Sequence, residues 1–149
     1  MNVDIASIED PEVAAFAERA VSFLLQHSWC REVVSGRKVW AIPGVLGVFL
    51  LTIVPVRPGI DTELWVIVGD LPPAYIARPV ESSWQDVLCA YIDEMRRWVV
   101  AVRNGESLKD IVPVNVEPTL EYADRLDSRL GFIQQEFLSG PADAYDDVD

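Results

Sequence analysis

The sequence predicts an α+β protein: three amphipathic helices packed on a four-stranded, mostly antiparallel sheet, in the order helix, four strands, helix, helix. Three observations lead to this prediction. Three segments repeat apolar residues at helical spacing. Between the first two of them lie segments that are apolar at nearly every position, as buried strands are. A parallel crossover needs about twelve residues or more, and the connections between these strands are shorter, so the strands are predicted to be mostly antiparallel.

The first helix is predicted to begin at Asp10-Pro11-Glu12. Asp10 can cap the free backbone N–H groups, Pro11 suits the first helical position, and Glu12 favours the positive end of the helix dipole. One apolar stripe follows, formed by Val13, Phe16, Ala17, Ala20, Phe23, Leu24 and His27. We expect this helix to end near Cys30, before Ser35-Gly36.

Four strands are predicted next, over Lys38–Ile42, Val45–Val54, Glu63–Gly69 and Ala74–Ala77. Val45–Val54 and Leu64–Val68 are apolar at nearly every position rather than alternating with polar residues. That pattern indicates a sheet that is covered on both faces, either by helices on each side or by a second subunit.

The second and third helices have recognisable ends. Ser83 with Asp86 resembles a capping box at the start of helix 2, and Asn104-Gly105 supplies a left-handed stop at its end. Helix 3 is predicted from about Thr119 to Leu138. Both helices carry one continuous apolar stripe, which predicts that each packs one face against the rest of the protein.

The chain has 149 residues, the size of one ordinary domain, and no linker that would split it. We therefore predict a single α+β domain over residues 1–139. Residues 140–149 are predicted to form an acidic disordered tail, because their aspartates repel one another and have little to bury.

The balance of 12 basic against 24 acidic residues gives a formal charge of −12. Such a surface repels phosphate backbones and anionic lipid, so we expect neither nucleic acid nor membrane as a partner. It suits a basic partner, or simply solubility. Two cysteines, Cys30 and Cys89, make no disulfide framework, and the N-terminus resembles no signal peptide. These features predict a cytoplasmic protein.

One apolar stretch is long enough to be tested as a membrane span. Val39–Val56 has 18 residues without a charge. Pro43-Gly44 breaks the stretch early and Pro55 closes it, which leaves Val45–Val54 unbroken. That remainder is too short to span a bilayer as a helix and is rich in β-branched residues, so a buried strand is the prediction.

His27 and Cys30 are the residues that most invite a chemical role. As a zinc half-site they would need two more ligands, and the chain offers only Cys89 and carboxylates, so no metal is predicted. As a thiolate pair they meet an electrostatic objection, because Cys30 is predicted at the C-terminal end of a helix. The chain has no phosphate loop, no dinucleotide fingerprint and no nucleophile elbow, so no cofactor is predicted and catalytic residues stay unassigned.

Three polar side chains are candidate binding residues. Asp70 follows the apolar strand Leu64–Val68 directly and precedes a stiff Pro-Pro segment, which would hold its carboxylate in place. Tyr75 lies close behind it, and Asn115 is a third candidate for the same pocket. The competing interpretation is that Gly69-Asp70 makes a turn and Asp70 caps local backbone N–H groups.

Two aromatic residues are candidate interface residues. Trp29 falls off the apolar stripe of helix 1, and Phe132 falls on the polar face of helix 3. Exposed aromatic rings that are rimmed by charge favour a contact surface with another protein. A single exposed aromatic residue is also ordinary on protein surfaces.

Several stretches resemble a small bacterial protein family that has no assigned function. They are Trp29-Cys30, Val39-Trp40-Ala41, Val66–Tyr75 and Pro113-Val114-Asn115-Val116. The resemblance covers the chain from about Ser28 to Leu138. It implies bacterial origin and a single domain, and it implies no activity and no catalytic residues.

Three features favour a non-enzymatic protein-interaction module or a homo-oligomer such as a homodimer. They are the absent catalytic motifs, the aromatic residues off the helical stripes, and the strands that are apolar on both faces. Immunity proteins that neutralise basic toxins offer an analogy from charge and size alone. The alternative is a small-molecule-binding protein or enzyme with a pocket near Asp70 and Tyr75.

Overall fold

The computed structural model describes residues 2–3, 8–111, 113–114 and 116–138. The elements in chain order are β1 (Asn2–Val3), α1 (Pro11–Leu25), β2 (Cys30–Ile42), β3 (Leu46–Pro55), β4 (Glu63–Gly69), β5 (Leu71–Ile76), α2 (Trp84–Asn104) and α3 (Leu120–Ile133). A π-helical turn, Gln134–Leu138, continues α3. The predicted α+β fold and its order of elements are confirmed.

The strands lie in the sheet in the order in which they occur along the chain, β1-β2-β3-β4-β5. β2 to β5 form an antiparallel meander, because each connection between them is short. The two-residue strand β1 pairs with β2 in parallel and is not predicted by the sequence pattern. At the β2–β3 turn, Gly44 has a φ of 74°, and the Val45 N–H donates to the carbonyl of Ile42.

The predicted end of helix 1 near Cys30 is wrong. α1 ends at Leu25, and Cys30 is the first residue of β2. The strand pairs with β3 from Cys30 opposite Pro55 to Ile42 opposite Leu46. Pairing with β3 over this whole length outweighs the local tendency to continue the helix, because strand formation depends on the neighbouring strand.

The predicted start of the last strand at Ala74 is also wrong, because β5 begins at Leu71 and includes Pro72 and Pro73. β5 is the last strand in the order of the sheet, with β4 on its other side. An edge strand tolerates proline, since one side of its backbone needs no ladder hydrogen bond.

The stretch considered as a membrane span, Val39–Val56, lies in β2, β3 and the turn between them, except for Val56, which begins the β3–β4 loop. Within the part of the chain that the structure describes, no helix combines the length and the apolarity that crossing a bilayer would require.

Backbone contacts group the chain into two compact units, Met1–Leu88 and Cys89–Asp149. The boundary falls inside the continuous helix α2, so no linker separates the units. Residues 139–149, which include the predicted acidic tail, lie outside the described residues.

In the first unit, α1 packs on one face of the sheet. Its buried side chains are Val13, Phe16, Ala17, Ala20, Val21 and Leu24. They share a core with alternate residues of the strands, among them Phe49, Leu51, Val66 and Val68. Such alternation is expected, because successive side chains of a strand point to opposite faces.

The opposite face of the sheet is buried as well. Its side chains Leu46, Val48, Trp65 and Ile67 are each at most 1% exposed in the single chain. The prediction of a sheet covered on both faces is therefore confirmed. Because these residues are already buried, the two apolar faces do not by themselves require a second subunit.

In the second unit, α2 and α3 are joined by apolar and ionic contacts. The rings of Trp98 and Tyr122 meet edge to face, with centroids 6.0 Å apart. Arg103 bridges Asp124 at 2.7 Å and Asp127 at 3.2 Å. Exposed ion pairs of this kind contribute little each, so burial of the apolar stripes is the main stabilising contribution.

The fully buried phenol of Tyr91 predicts a loss of stability in alkali. Burial, and secondarily the neighbouring Tyr122, raises the pKa of Tyr91 well above its ordinary value of 10.0. Below the pKa that Tyr91 has in the unfolded chain, the raised pKa contributes its full stabilisation. Above that pKa the unfolded chain releases the proton while the folded protein keeps it, so the stabilisation is progressively lost as the pH rises. Above about pH 10 we expect Tyr91 to lower the free energy of unfolding by about 1.4 kcal/mol per pH unit.

Urea unfolding at several pH values between about 9 and 11 measures this slope. Tyr91→Phe has no phenol to titrate, so its unfolding free energy should fall less steeply over the same range. Equal slopes for the two proteins would contradict the prediction.

Candidate functional site

A pocket of about 280 Å³ lies at the end of the sheet where β3 connects to β4. Trp29 and Tyr75 form its aromatic wall. The rest of the lining comes from the β3–β4 loop and the adjoining strands, with Arg57, Gly59, Ile60, Asp61, Leu64 and Ala77. We call this site the Trp29 pocket. It brings together a predicted interface residue and a predicted binding residue that lie 46 positions apart in the sequence.

The local structure explains why both aromatic side chains reach this site. Trp29 lies in the turn between α1 and β2, and its carbonyl accepts a hydrogen bond of 3.0 Å from the Val56 N–H. That bond ties the turn to the β3–β4 loop. Tyr75 pairs with Val66, whose side chain belongs to the core beneath α1. Directly paired residues share a face of the sheet, so Tyr75 lies on the α1 side.

The imidazole of His27 contacts both aromatic rings. Its ring centroid is 4.8 Å from that of Trp29 and 5.2 Å from that of Tyr75. Trp29 and Tyr75 themselves meet edge to face at 5.2 Å, and Phe23 packs edge to face on His27 at 5.0 Å. Edge-to-face contacts of this kind stabilise a fixed arrangement of rings beyond simple burial.

The imidazole is itself fixed by the end of α1. Its Nδ1 lies 3.0 Å from the carbonyl oxygen of Phe23. Because a carbonyl only accepts hydrogen bonds, Nδ1 carries the hydrogen and is the donor of this hydrogen bond. His27 is half-buried in the turn after α1, so its predicted place on the apolar stripe of helix 1 is wrong.

Two opposite charges stand at the rim of the pocket, both on the β3–β4 loop. Arg57 and Asp61 are exposed and line the pocket. Within the described residues, neither side chain makes a hydrogen bond or an ion pair, with each other or with any other group. The turn between them contains Gly59, whose φ is 92°. Their charges are therefore available to a bound molecule.

The structure does not bring Asp70 to this pocket. Asp70 is exposed between β4 and β5, whereas the pocket lies beside the loop at the other end of β4. The seven residues of β4 span roughly 23 Å, which separates the two positions. The Asp70 N–H donates to the carbonyl of Val45 at 2.9 Å, consistent with the interpretation as a turn residue. Asn115, the third predicted binding residue, lies outside the described residues.

Phe132, the second predicted interface residue, belongs to the other unit of the chain. It is 44% exposed on α3 and meets Phe137 edge to face, with centroids 6.1 Å apart. It lines a shallow depression with Arg125, Ser128 and Arg129. Its part in an interface stays a prediction.

His27 and Cys30 do not form a thiolate pair. The Cys30 thiol donates to the carbonyl of Glu32 at 3.9 Å, while His27 is bonded to Phe23. Burial raises the pKa of Cys30. The thiol is therefore a poor nucleophile, although the reason is burial in a strand and not the helix dipole that the sequence predicted. Across the described residues, no three His, Cys, Asp or Glu side chains cluster as metal ligands would.

The sequence pattern does not single out Arg57 and Asp61, and it places His27 on the apolar stripe of helix 1 rather than beside the two aromatic rings of the pocket. The signal in the sequence is modest: two opposite charges flank Pro58-Gly59 in a turn between buried strands. Only the fold places that turn beside Trp29.

Comparisons with protein-family models, with curated proteins and with solved structures find no match for this chain.

Proposed function

We propose that the protein is a non-enzymatic interaction module that binds a segment of another protein at the Trp29 pocket. One observation carries the proposal. Trp29 and the 38%-exposed Tyr75 form a rigid aromatic pair at the surface, with Arg57 beside them. Trp, Tyr and Arg are the residue types in which binding hot spots are most enriched.

The size of the pocket suits a small group rather than a large cofactor. Pockets that hold drug-sized ligands and cofactors are roughly 300–1,000 Å³. At about 280 Å³ the Trp29 pocket is at the small end of that range. It has room for one large side chain, which is how an interface hot spot receives an anchor from its partner.

The sheet edge beside the pocket argues for anchoring through a side chain. At the β5 edge of the sheet, a partner strand would have to pair with β5 itself. Pro72 and Pro73 have no N–H to offer such a strand. Edge strands that carry prolines resist strand addition, so insertion of a side chain into the pocket is the favoured mode.

The formal charge of −12 favours a partner that is basic overall. Complementary charge accelerates association and makes it sensitive to salt, more than it adds to affinity. We therefore expect the association rate to fall as the salt concentration rises, while the dissociation rate depends on Trp29 and Tyr75.

We infer a cytoplasmic location from the state of the cysteines. Neither Cys30 nor Cys89 is part of a disulfide, and reduced thiols persist in a reducing compartment. Bacterial origin, which rests on the family resemblance, also stays a proposal.

A peptide library displayed on phage and selected on the whole protein tests the proposal. We expect selected peptides, resynthesised and measured by fluorescence polarisation, to lose about thirtyfold or more in affinity for Trp29→Ala and for Tyr75→Ala, as hot-spot residues do. Leu120→Ala, which removes an exposed apolar side chain that lines no part of the pocket, is the matched control and should change affinity less than about twofold.

Two results would overturn the proposal. One is a selection that yields only peptides indifferent to Trp29→Ala and Tyr75→Ala. The other is a homodimer, seen by sedimentation velocity, that dissociates when Trp29 is replaced, because a second copy of the chain would then occupy the surface. A monomer with Trp29-dependent peptide binding supports a separate protein as the partner.

The second candidate function is binding of a small molecule, favoured by the presence of Tyr75 in a pocket. Asp70, the other residue named for that alternative, does not line it. A fragment screen by ligand-observed NMR tests it, with Tyr75→Ala as the variant that should abolish binding.

A further inference from the structure

We propose that the Trp29 pocket selects a specific anchor: an aromatic side chain with one acidic and one basic residue close to it in the partner segment. This inference rests on the proposed function and adds the chemistry of what is bound. It follows from the aromatic wall and from the charges of Arg57 and Asp61, which line the same pocket and make no ion pair with each other.

The aromatic wall favours an aromatic anchor. Trp29 and Tyr75 meet edge to face, and His27 holds both rings. A third ring placed in the pocket can continue the same edge-to-face or offset arrangement, which is preferred over a face-to-face sandwich. Leu64, which is 4% exposed, provides an apolar surface beneath it.

The rim charges favour one group of each sign. Arg57 and Asp61 are four residues apart on one short loop, yet they form no ion pair with each other. A partner segment that carried only basic residues would meet Asp61 favourably and be repelled by Arg57. A segment that carried only acidic residues would be attracted by Arg57 and repelled by Asp61. Both rim charges are matched only when the partner segment carries one acidic and one basic residue next to the anchor.

The sharpest test changes the charged residues of the peptide and of the pocket in turn and measures the affinity of each combination. The probes are acetylated and amidated peptides with one tryptophan, flanked by glutamate and arginine in one order or the other, so that no terminal charge confuses the result. Reference peptides carry two glutamates or two arginines. Affinities are measured by fluorescence polarisation with the whole protein.

We expect one of the two mixed orders to bind most tightly, ahead of both reference peptides. Asp61→Asn and Arg57→Gln should each weaken that peptide by about two- to fivefold, the range for exposed ion pairs. The matched controls are Glu63→Gln and Arg78→Gln, which alter exposed charges that do not line the pocket. They should leave the affinity within about twofold.

The double variant Arg57→Glu with Asp61→Arg reverses both rim charges and should therefore prefer the opposite peptide order. A reversal of preference cannot arise from loss of folding, so it keeps the inference testable even if single variants are weakened.

Failure of this inference is distinguishable from failure of the proposed function. Binding that needs Trp29 but ignores peptide order and the rim substitutions would overturn the charge pattern and leave the interaction module standing. Binding of no peptide in a Trp29-dependent way would overturn both. Free L-tryptophan displacing the mixed peptide at comparable concentration would show that the pocket takes a free zwitterionic amino acid, and would overturn the peptide anchor.

Discussion

Replacing Trp65 by alanine is expected to lower the free energy of unfolding by about 4 kcal/mol, the cost of removing a large buried aromatic side chain. Trp65 is 1% exposed on β4, on the face of the sheet opposite α1. Its indole Nε1–H donates to the carbonyl of Pro79 at 3.1 Å. The loss combines burial, a cavity that neighbouring side chains fill only in part, and an unpaired carbonyl group.

Urea unfolding followed by circular dichroism measures this change. Trp65→Phe keeps most of the apolar volume and loses only the hydrogen bond and part of the ring, so a cost of about 1 to 2 kcal/mol is expected. Val100→Ala, at a side chain that is 49% exposed, is the surface control and should stay within about 0.5 kcal/mol. A cost for Trp65→Ala as small as that of the control would mean that this face of the sheet is open to solvent.

Replacing Gly69 by alanine is expected to lower the free energy of unfolding by about 3 kcal/mol, because backbone strain and overpacking act together. Gly69 has a φ of 157°, a conformation that residues with a side chain rarely adopt. A Cβ at this position would collide with the carbonyl oxygen of Val45 and with the Cα of Leu46. Both are backbone atoms, one in the β2–β3 turn and one in β3, so they cannot move aside without disturbing the sheet.

Gly131→Ala is the matched control for this substitution. Gly131 lies within α3, and an added Cβ there would meet no atom within 4 Å. Alanine should stabilise the helix by about 0.5 to 1 kcal/mol, since it loses less backbone freedom on folding than glycine does. Opposite signs for the two glycine substitutions are therefore expected in the same urea experiment. A neutral Gly69→Ala would contradict the close approach of β4 to the β2–β3 turn.

The elements that the sequence predicted best are those whose limits depend on local chemistry. The Asp10 side chain accepts hydrogen bonds from the N–H groups of Glu12 and Val13, as expected for the start of α1. The Asp86 N–H donates to the Ser83 side chain at 3.1 Å. Gly105, with a φ of 66°, follows α2 at the predicted stop. Each of these signals needs only residues within one turn of the helix.

The elements that the sequence predicted poorly depend on a distant partner. Cys30 is where the sequence places the end of helix 1, yet it begins a strand because β3 lies alongside it. Pro72 and Pro73 read as a loop, yet they belong to β5 because only one side of that strand is paired. Local patterns cannot encode which strand lies at an edge.

By itself, the sequence determined the fold class, the order of the elements and the burial of both faces of β3 and β4, because periodicity and composition report how much of each segment must leave water. Only the tertiary structure decided where binding groups meet. Trp29, Arg57 and Tyr75 come from a turn, a loop and an edge strand, and they form one pocket because the antiparallel meander returns the chain to the end of α1. Proximity between such distant positions arises from packing, which no local pattern records.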